Sequence, residues 1–111
     1  MVIFTIKGRF TLGPMLHVLK PHILASLASR PSPGVILNFA GISDLDSAGL
    51  GELVSIQTAL TQLGVPMALA HVAQNVKLMF SVTRLDGVLA VFDTERLALQ
   101  HLAKSEVPNQ P

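Results

Sequence analysis

Cysteine is absent from this 111-residue chain, and with it go disulfide frameworks, thiol nucleophiles and thiolate metal sites. Runs of like charge are missing too. Eight Lys and Arg spread from Lys7 to Lys104 against seven Asp and Glu, for a formal net charge of +1. No basic cluster tracks a phosphate backbone, so nucleic-acid binding is not expected. Nowhere do about eighteen apolar residues run on without a polar break, so no membrane insertion is expected. The apolar start Met1-Val2-Ile3-Phe4-Thr5-Ile6-Lys7 lacks the basic stretch and small-residue cleavage site of a secretory signal. Internal repeats, linkers and low-complexity tracts are also lacking. What remains is one domain, expected over residues 1–104 in the cytoplasm. Residues 105–111, with two prolines and little to bury, are expected to form a flexible tail.

Half of the residues are hydrophobic, enough for one core. Their spacing alternates between strand and helix periods. Val2, Phe4 and Ile6 alternate with Ile3, Thr5 and Lys7, which predicts a strand over Val2 to Phe10 with one face on the core. Met15, Leu16, Leu19, Ile23, Leu24 and Leu27 predict a helix opening at Pro14, with a kink at Pro21. After the turn Arg30-Pro31-Ser32-Pro33-Gly34, the run Val35 to Phe39 reads as a parallel strand covered on both faces. A second helix is expected from Ser47 to Leu63, stopped by Gly64, then a strand over Val65 to Ala70 and a helix over Val72 to Val82. Asp86-Gly87 turns into a strand over Val88 to Phe92, and Asp93 or Thr94 caps a last helix to Ala103. The fold class expected is α/β: a small open mixed sheet of about four strands packed against helices.

Catalytic patterns are weak. Leu45-Asp46-Ser47-Ala48-Gly49 half-matches a nucleophile elbow, but the first glycine is Leu45, and no spacing nominates His17, His22, His71 or His101 as the base. Asp44 and Asp46 could hold Mg²⁺ only with a substrate phosphate completing the shell. Gly49-Leu50-Gly51 begins a dinucleotide fingerprint, yet Val54 stands where its third glycine belongs. His17 and His22, five apart, fall on different helix faces and read as ordinary polar residues. The chain is therefore read as a non-enzyme without metal or cofactor. Leu78 lies off the inward stripe of its helix and is an expected partner contact.

The polar turn Asp44-Leu45-Asp46-Ser47-Ala48-Gly49-Leu50-Gly51-Glu52 is the most informative stretch. It sets one hydroxyl, Ser47, at the mouth of a helix among small residues, open to a large approaching body. Asp46 and Ser47 are both good N-cap residues, and Glu52 is placed to complement the helix dipole. Capping alone does not explain Ala48, Gly49 and Gly51, since each glycine weakens a helix start by up to about 1 kcal/mol relative to alanine. Close approach of another body or of a neighbouring strand would.

With Val35 to Phe39 ahead of it, the segment Ile42-Ser43-Asp44-Leu45-Asp46-Ser47-Ala48-Gly49-Leu50-Gly51 resembles the STAS domain of bacterial anti-sigma factor antagonists, and the likeness extends over nearly the whole chain. The resemblance implies that Ser47 is the phosphoacceptor of an anti-sigma factor that is also a serine kinase, that a phosphatase resets it, and that Asp44, Asp46, Ser47, Ala48, Gly49, Leu50 and Leu78 meet the partner. Two departures bear on it. Thr11 stands where the family carries an acid, and the chain starts at the family's second strand, leaving a sheet edge where a homodimer could pair. STAS-like domains also serve as constitutive scaffold subunits of membrane lipid transporters, in which case Ser47 would be only a cap.

Overall fold

A computed structural model describes residues 1–14 and 16–106. Four parallel strands stand in the order of the chain: β1 (Val2–Phe10), β2 (Val35–Leu45), β3 (Met67–Ala70) and β4 (Ala90–Phe92). Between them run α1 (Leu19–Ser29), α2 (Ser47–Gln62) and α3 (Gln74–Val82), and α4 (Glu95–Glu106) closes the chain. The α/β class stands, with the sheet all parallel in its described strands rather than mixed.

Sequential strand order fixes the layers. Right-handed crossovers that always step in one direction put their connecting helices on one face. There Val35, Leu37, Phe39 and Leu45 of β2 pack with Ile23 and Leu27 of α1, Leu50, Leu53, Ile56 and Leu60 of α2, and Val76 and Phe80 of α3. Burying each of these side chains stabilises the fold by about 1.5–3 kcal/mol. Among the described residues the opposite face belongs to α4, whose Ala98 and Leu102 sit on Ile36, Ala68 and Ala70. All four residues of β3 are buried, as a strand covered on both sides requires.

Several boundaries differ from the sequence reading for local reasons. The first helix opens at Leu19, not Pro14, and Pro21 falls in its first turn, where a missing N–H has no intrahelical partner to lose. Leu16 still joins the core, from the turn before that helix. Met15, expected in the helix, lies outside the described residues, as do residues 107–111 of the expected tail. Strand β2 continues six residues past Phe39 because Gly41, Ile42, Asp44 and Leu45 pair with the far half of β1. Strand β3 starts at Met67 because the Val65 N–H turns back to Leu60 O at the end of α2. Gly64, at φ 73°, provides the left-handed residue that this stop requires. Helix α3 starts at Gln74 rather than Val72. Strand β4 starts at Ala90 because Val88 and Leu89 donate to Leu85 O. Thr94 Oγ1 accepts from Leu97 N at the head of α4, and that helix reaches Glu106, beyond the expected Ala103.

Candidate functional site

The turn between β2 and α2 is organised by one carboxylate. Asp46 is the N-cap of α2, with extended backbone and Oδ1 accepting from Gly49 N at 2.9 Å. Its Oδ2 accepts from Leu12 N at 3.0 Å, which ties the loop after β1 to the head of α2. The N–H groups of Leu12 and Gly49 hold the Asp46 carboxyl below the usual carboxylate range. Both oxygens of Asp46 are thus committed within the chain.

Ser47 is left free by this arrangement. It is the first residue of α2 and exposed, and its hydroxyl makes no hydrogen bond among the described residues. The cap is Asp46, so Ser47 has no capping duty. Asp44 accepts from Leu45 N at 2.9 Å through Oδ1, and its Oδ2 lies 3.5 Å from Arg9 Nη2 across the β1–β2 pair. Ala48 is half-buried against the core.

Gly49 and Leu50, expected at a partner surface, face inward. Leu50 is 5% exposed. Gly49 lies so close to the end of β1 that an added Cβ would stand 2.1 Å from the Phe10 carbonyl oxygen. The neighbouring strand therefore explains this glycine. Around Gly51 no heavy atom would meet such a Cβ within 4 Å, so that side of the helix is open. Leu78 stands on a separate element, α3, and is 62% exposed as expected; Val82 is exposed one turn further on.

Three features escaped the sequence reading. Leu12, 78% exposed, is tied to Asp46 at the head of α2 by its backbone N–H. Glu52 is not in the first turn of α2 and does not serve its dipole. It is 7% exposed, and its Oε1 accepts from His17 Nδ1 at 3.0 Å. One turn on, Lys20 Nζ donates to Ser55 Oγ at 2.8 Å, so the stretch leading into α1 is held to α2 at successive levels. Only a fold places His17 and Glu52 together. Of the other histidines, His22 meets the edge of Phe4, His101 lies against Phe92, and His71, at φ 59°, is an exposed left-handed residue at the end of β3. The described residues include no group of three metal-ligating side chains and no helix long and apolar enough to cross a membrane. The strand order never reverses, so the described sheet has no switch-point crevice of the kind that receives ligands in doubly wound folds. What it offers at this turn is the exposed hydroxyl of Ser47 at the head of α2.

Comparison with known proteins agrees with this geometry. The family model described as STAS domain matches residues 2–98. A Thermotoga neapolitana homolog of TM1081, which carries the name of an anti-sigma factor antagonist, is 24% identical over 86 residues, covering 78% of this chain and 76% of its own. The crystal structure of TM1081 from Thermotoga maritima superposes with a TM-score of 0.81 at 21% identity, over 92% of this chain and 87% of that one. A sulfate transporter family protein from Wolinella succinogenes gives 0.77 at 21% identity, over 92% and 84%. The phosphorylated form of the Bacillus cell fate determinant SpoIIAA gives 0.65 at 18% identity, over 90% and 88%.

Proposed function

Because this chain belongs to the STAS domain family, we propose that it is an anti-sigma factor antagonist whose binding is switched by phosphorylation of Ser47. The observation that carries this reading is the exposed Ser47 hydroxyl, unengaged beside an Asp46 that has taken over the capping. In the cytoplasm, the unphosphorylated protein binds an anti-sigma factor that is also a serine kinase and so frees the sigma factor. The kinase then phosphorylates Ser47 and lets go, and a phosphatase restores the starting state. No cofactor of its own and no catalytic residue is needed.

The physical logic is electrostatic. A phosphate on Ser47 adds about −1.5 to −2 charges at neutral pH, one residue from Asp46 and three from Asp44. Like charges brought together at an interface cost several kcal/mol, and each 1.4 kcal/mol is about tenfold in affinity. Gly49 N–H already serves Asp46, so a phosphate here gains less from the helix terminus than at an uncapped helix. Its charge is turned toward the partner. Asp44, Ala48, the open flank at Gly51 and, on α3, exposed Leu78 complete the proposed contact surface.

A constitutive scaffold role in a membrane transporter is the second reading. It is favoured by Thr11 in the place of the family's acid and by likeness to a domain of a transporter family. Intact-protein mass spectrometry with site localisation, on protein purified from its own host under growth and stress, separates the two. A single phosphate on Ser47 whose occupancy changes with condition supports the switch. Absence of phosphate under every condition, with transporter subunits co-purifying in constant ratio, supports the scaffold.

A further inference from the structure

We infer that the free edge of β1 is a second docking surface, which takes an extended acidic segment of a partner chain as an added strand. Among the described residues, strand β1 has one neighbour, β2, and the N–H and C=O groups along its other side have no strand partner. Such an edge is a template for a further strand. Protein edges are commonly blunted by charge, proline or a bulge. Here Val2 to Ile6 carries neither charge nor proline, and the pairing with β2 keeps a regular register from Val2 to Thr5. The irregularities come later, between Thr5 and Lys7 and between Gly8 and Arg9. Beside this edge, a groove of about 250 Å³ runs between β1 and α1, with Ile6, Lys7, Arg9, Val18, Leu19 and His22 in its walls. Its lining combines apolar side chains with the two cations Lys7 and Arg9.

Charge selects the occupant. Residues 1–43 hold Lys7, Arg9, Lys20 and Arg30 and no acid, whereas all seven Asp and Glu come from Asp44 onward. Arg9 leans on Asp44 and Lys20 on Ser55, while Lys7 is exposed without an ion-pair partner among the described residues. Pairing β1 with β1 of a second copy would bring Lys7 and Arg9 of both copies onto one sheet, and like charges on neighbouring strands oppose that. A strand with acids on alternate residues brings the complementary sign, and its other side chains lie on apolar wall. This surface does not use Ser47, and it adjoins the proposed contact surface only where Arg9 leans on Asp44.

The test uses the full chain, ¹⁵N-labelled, with a synthetic peptide of about ten residues alternating Glu with Val and Thr. One control replaces Glu by Lys; another keeps Glu but replaces Val and Thr by Gly and Pro. The expected result is amide exchange slowed roughly tenfold at Val2 to Ile6 by the first peptide alone. Its affinity should fall several-fold in about 0.5 M salt and in the double variant Lys7→Gln, Arg9→Gln. Unfolding temperatures of the variant check that its fold is kept. Equal binding of the Gly/Pro peptide, protection away from β1, or no binding at millimolar peptide would overturn the inference. So would β1 protection that rises with protein concentration in the absence of peptide, which would assign the edge to a second copy.

Discussion

A single methyl group added at Gly49 should damage this fold, while the same group added at Gly51, two residues along the same helix, should improve it. A Cβ at Gly49 would stand 2.1 Å from the Phe10 carbonyl oxygen, 2.8 Å from Leu45 Cδ1 and 3.2 Å from the Phe10 carbonyl carbon. The leucine methyl can swing aside. The carbonyl cannot, because Phe10 ends β1 in register with Leu45 of β2. Relief requires α2 to draw back from the sheet by about 1 Å, which loosens the packing under Leu50 and Leu53. Overpacking of this kind costs about 1–3 kcal/mol and occasionally more, against at most about 1 kcal/mol gained from alanine's helix preference. The contact is with rigid backbone, so the net loss should be about 2 kcal/mol, or roughly 8–16 °C in Tm for a domain of this size. At Gly51 nothing lies within 4 Å of the added group, and the gain should be about 0.5–1 kcal/mol. Urea and thermal unfolding followed by circular dichroism measure both variants against the parent. A Gly49→Ala protein unfolding within about 2 °C of the parent, or a Gly51→Ala protein less stable than it, would refute this account of the turn. Gly51→Ala also reports on function: intact stability with lost partner binding would mean that the partner approaches the open side of α2.

Ser47→Ala and Ser47→Asp should each leave stability within about 0.5 kcal/mol, since the hydroxyl bonds nothing in the fold; the aspartate should weaken partner binding, and a large loss of Tm with binding retained would count against the switch. The depressed pKa of Asp46 means that its stabilisation is fully present above the ordinary value of 3.8 and is lost as pH falls through the lower folded-state value. The urea midpoint of the parent should therefore fall more steeply below about pH 4 than that of Asp46→Asn, and parallel curves would remove Asp46 from the link between Leu12 and α2. His17→Ala should cost about 1–3 kcal/mol by leaving the buried Glu52 carboxylate unpaired, and Glu52→Gln should cost less; equal stability of His17→Ala and parent in urea would show that the pair does not hold the loop.

Local chemistry made much of this fold readable. The period-two pattern of Val2, Phe4 and Ile6 located β1, Asp46-Ser47 and Gly64 bracketed α2, and the small residues of the turn announced a close approach. Which glycine the approach concerned was not separable in sequence: β1 explains Gly49, whereas open space surrounds Gly51. Helix starts were misplaced where tertiary bonds override propensity, as in the loop that Asp46 and Glu52 hold ahead of α1. Leu16 kept its core position though outside the helix, because a hydrophobic pattern records burial rather than backbone shape. The pairing of His17 with Glu52 spans 35 residues, and neither side chain carries a mark of it.

Strand order in this sheet also bears on how the chain is made. Each strand pairs with the next one synthesised, so every crossover can close as it emerges from the ribosome, with no strand waiting for a distant partner. The exception is the face sealed by α4. Ile36, Ala68 and Ala70 stay wet until residues 95–106 have been made and have folded back over them. A chain truncated before that helix would leave this side of the sheet naked and apolar, so loss of α4 is where this protein is most exposed to aggregation.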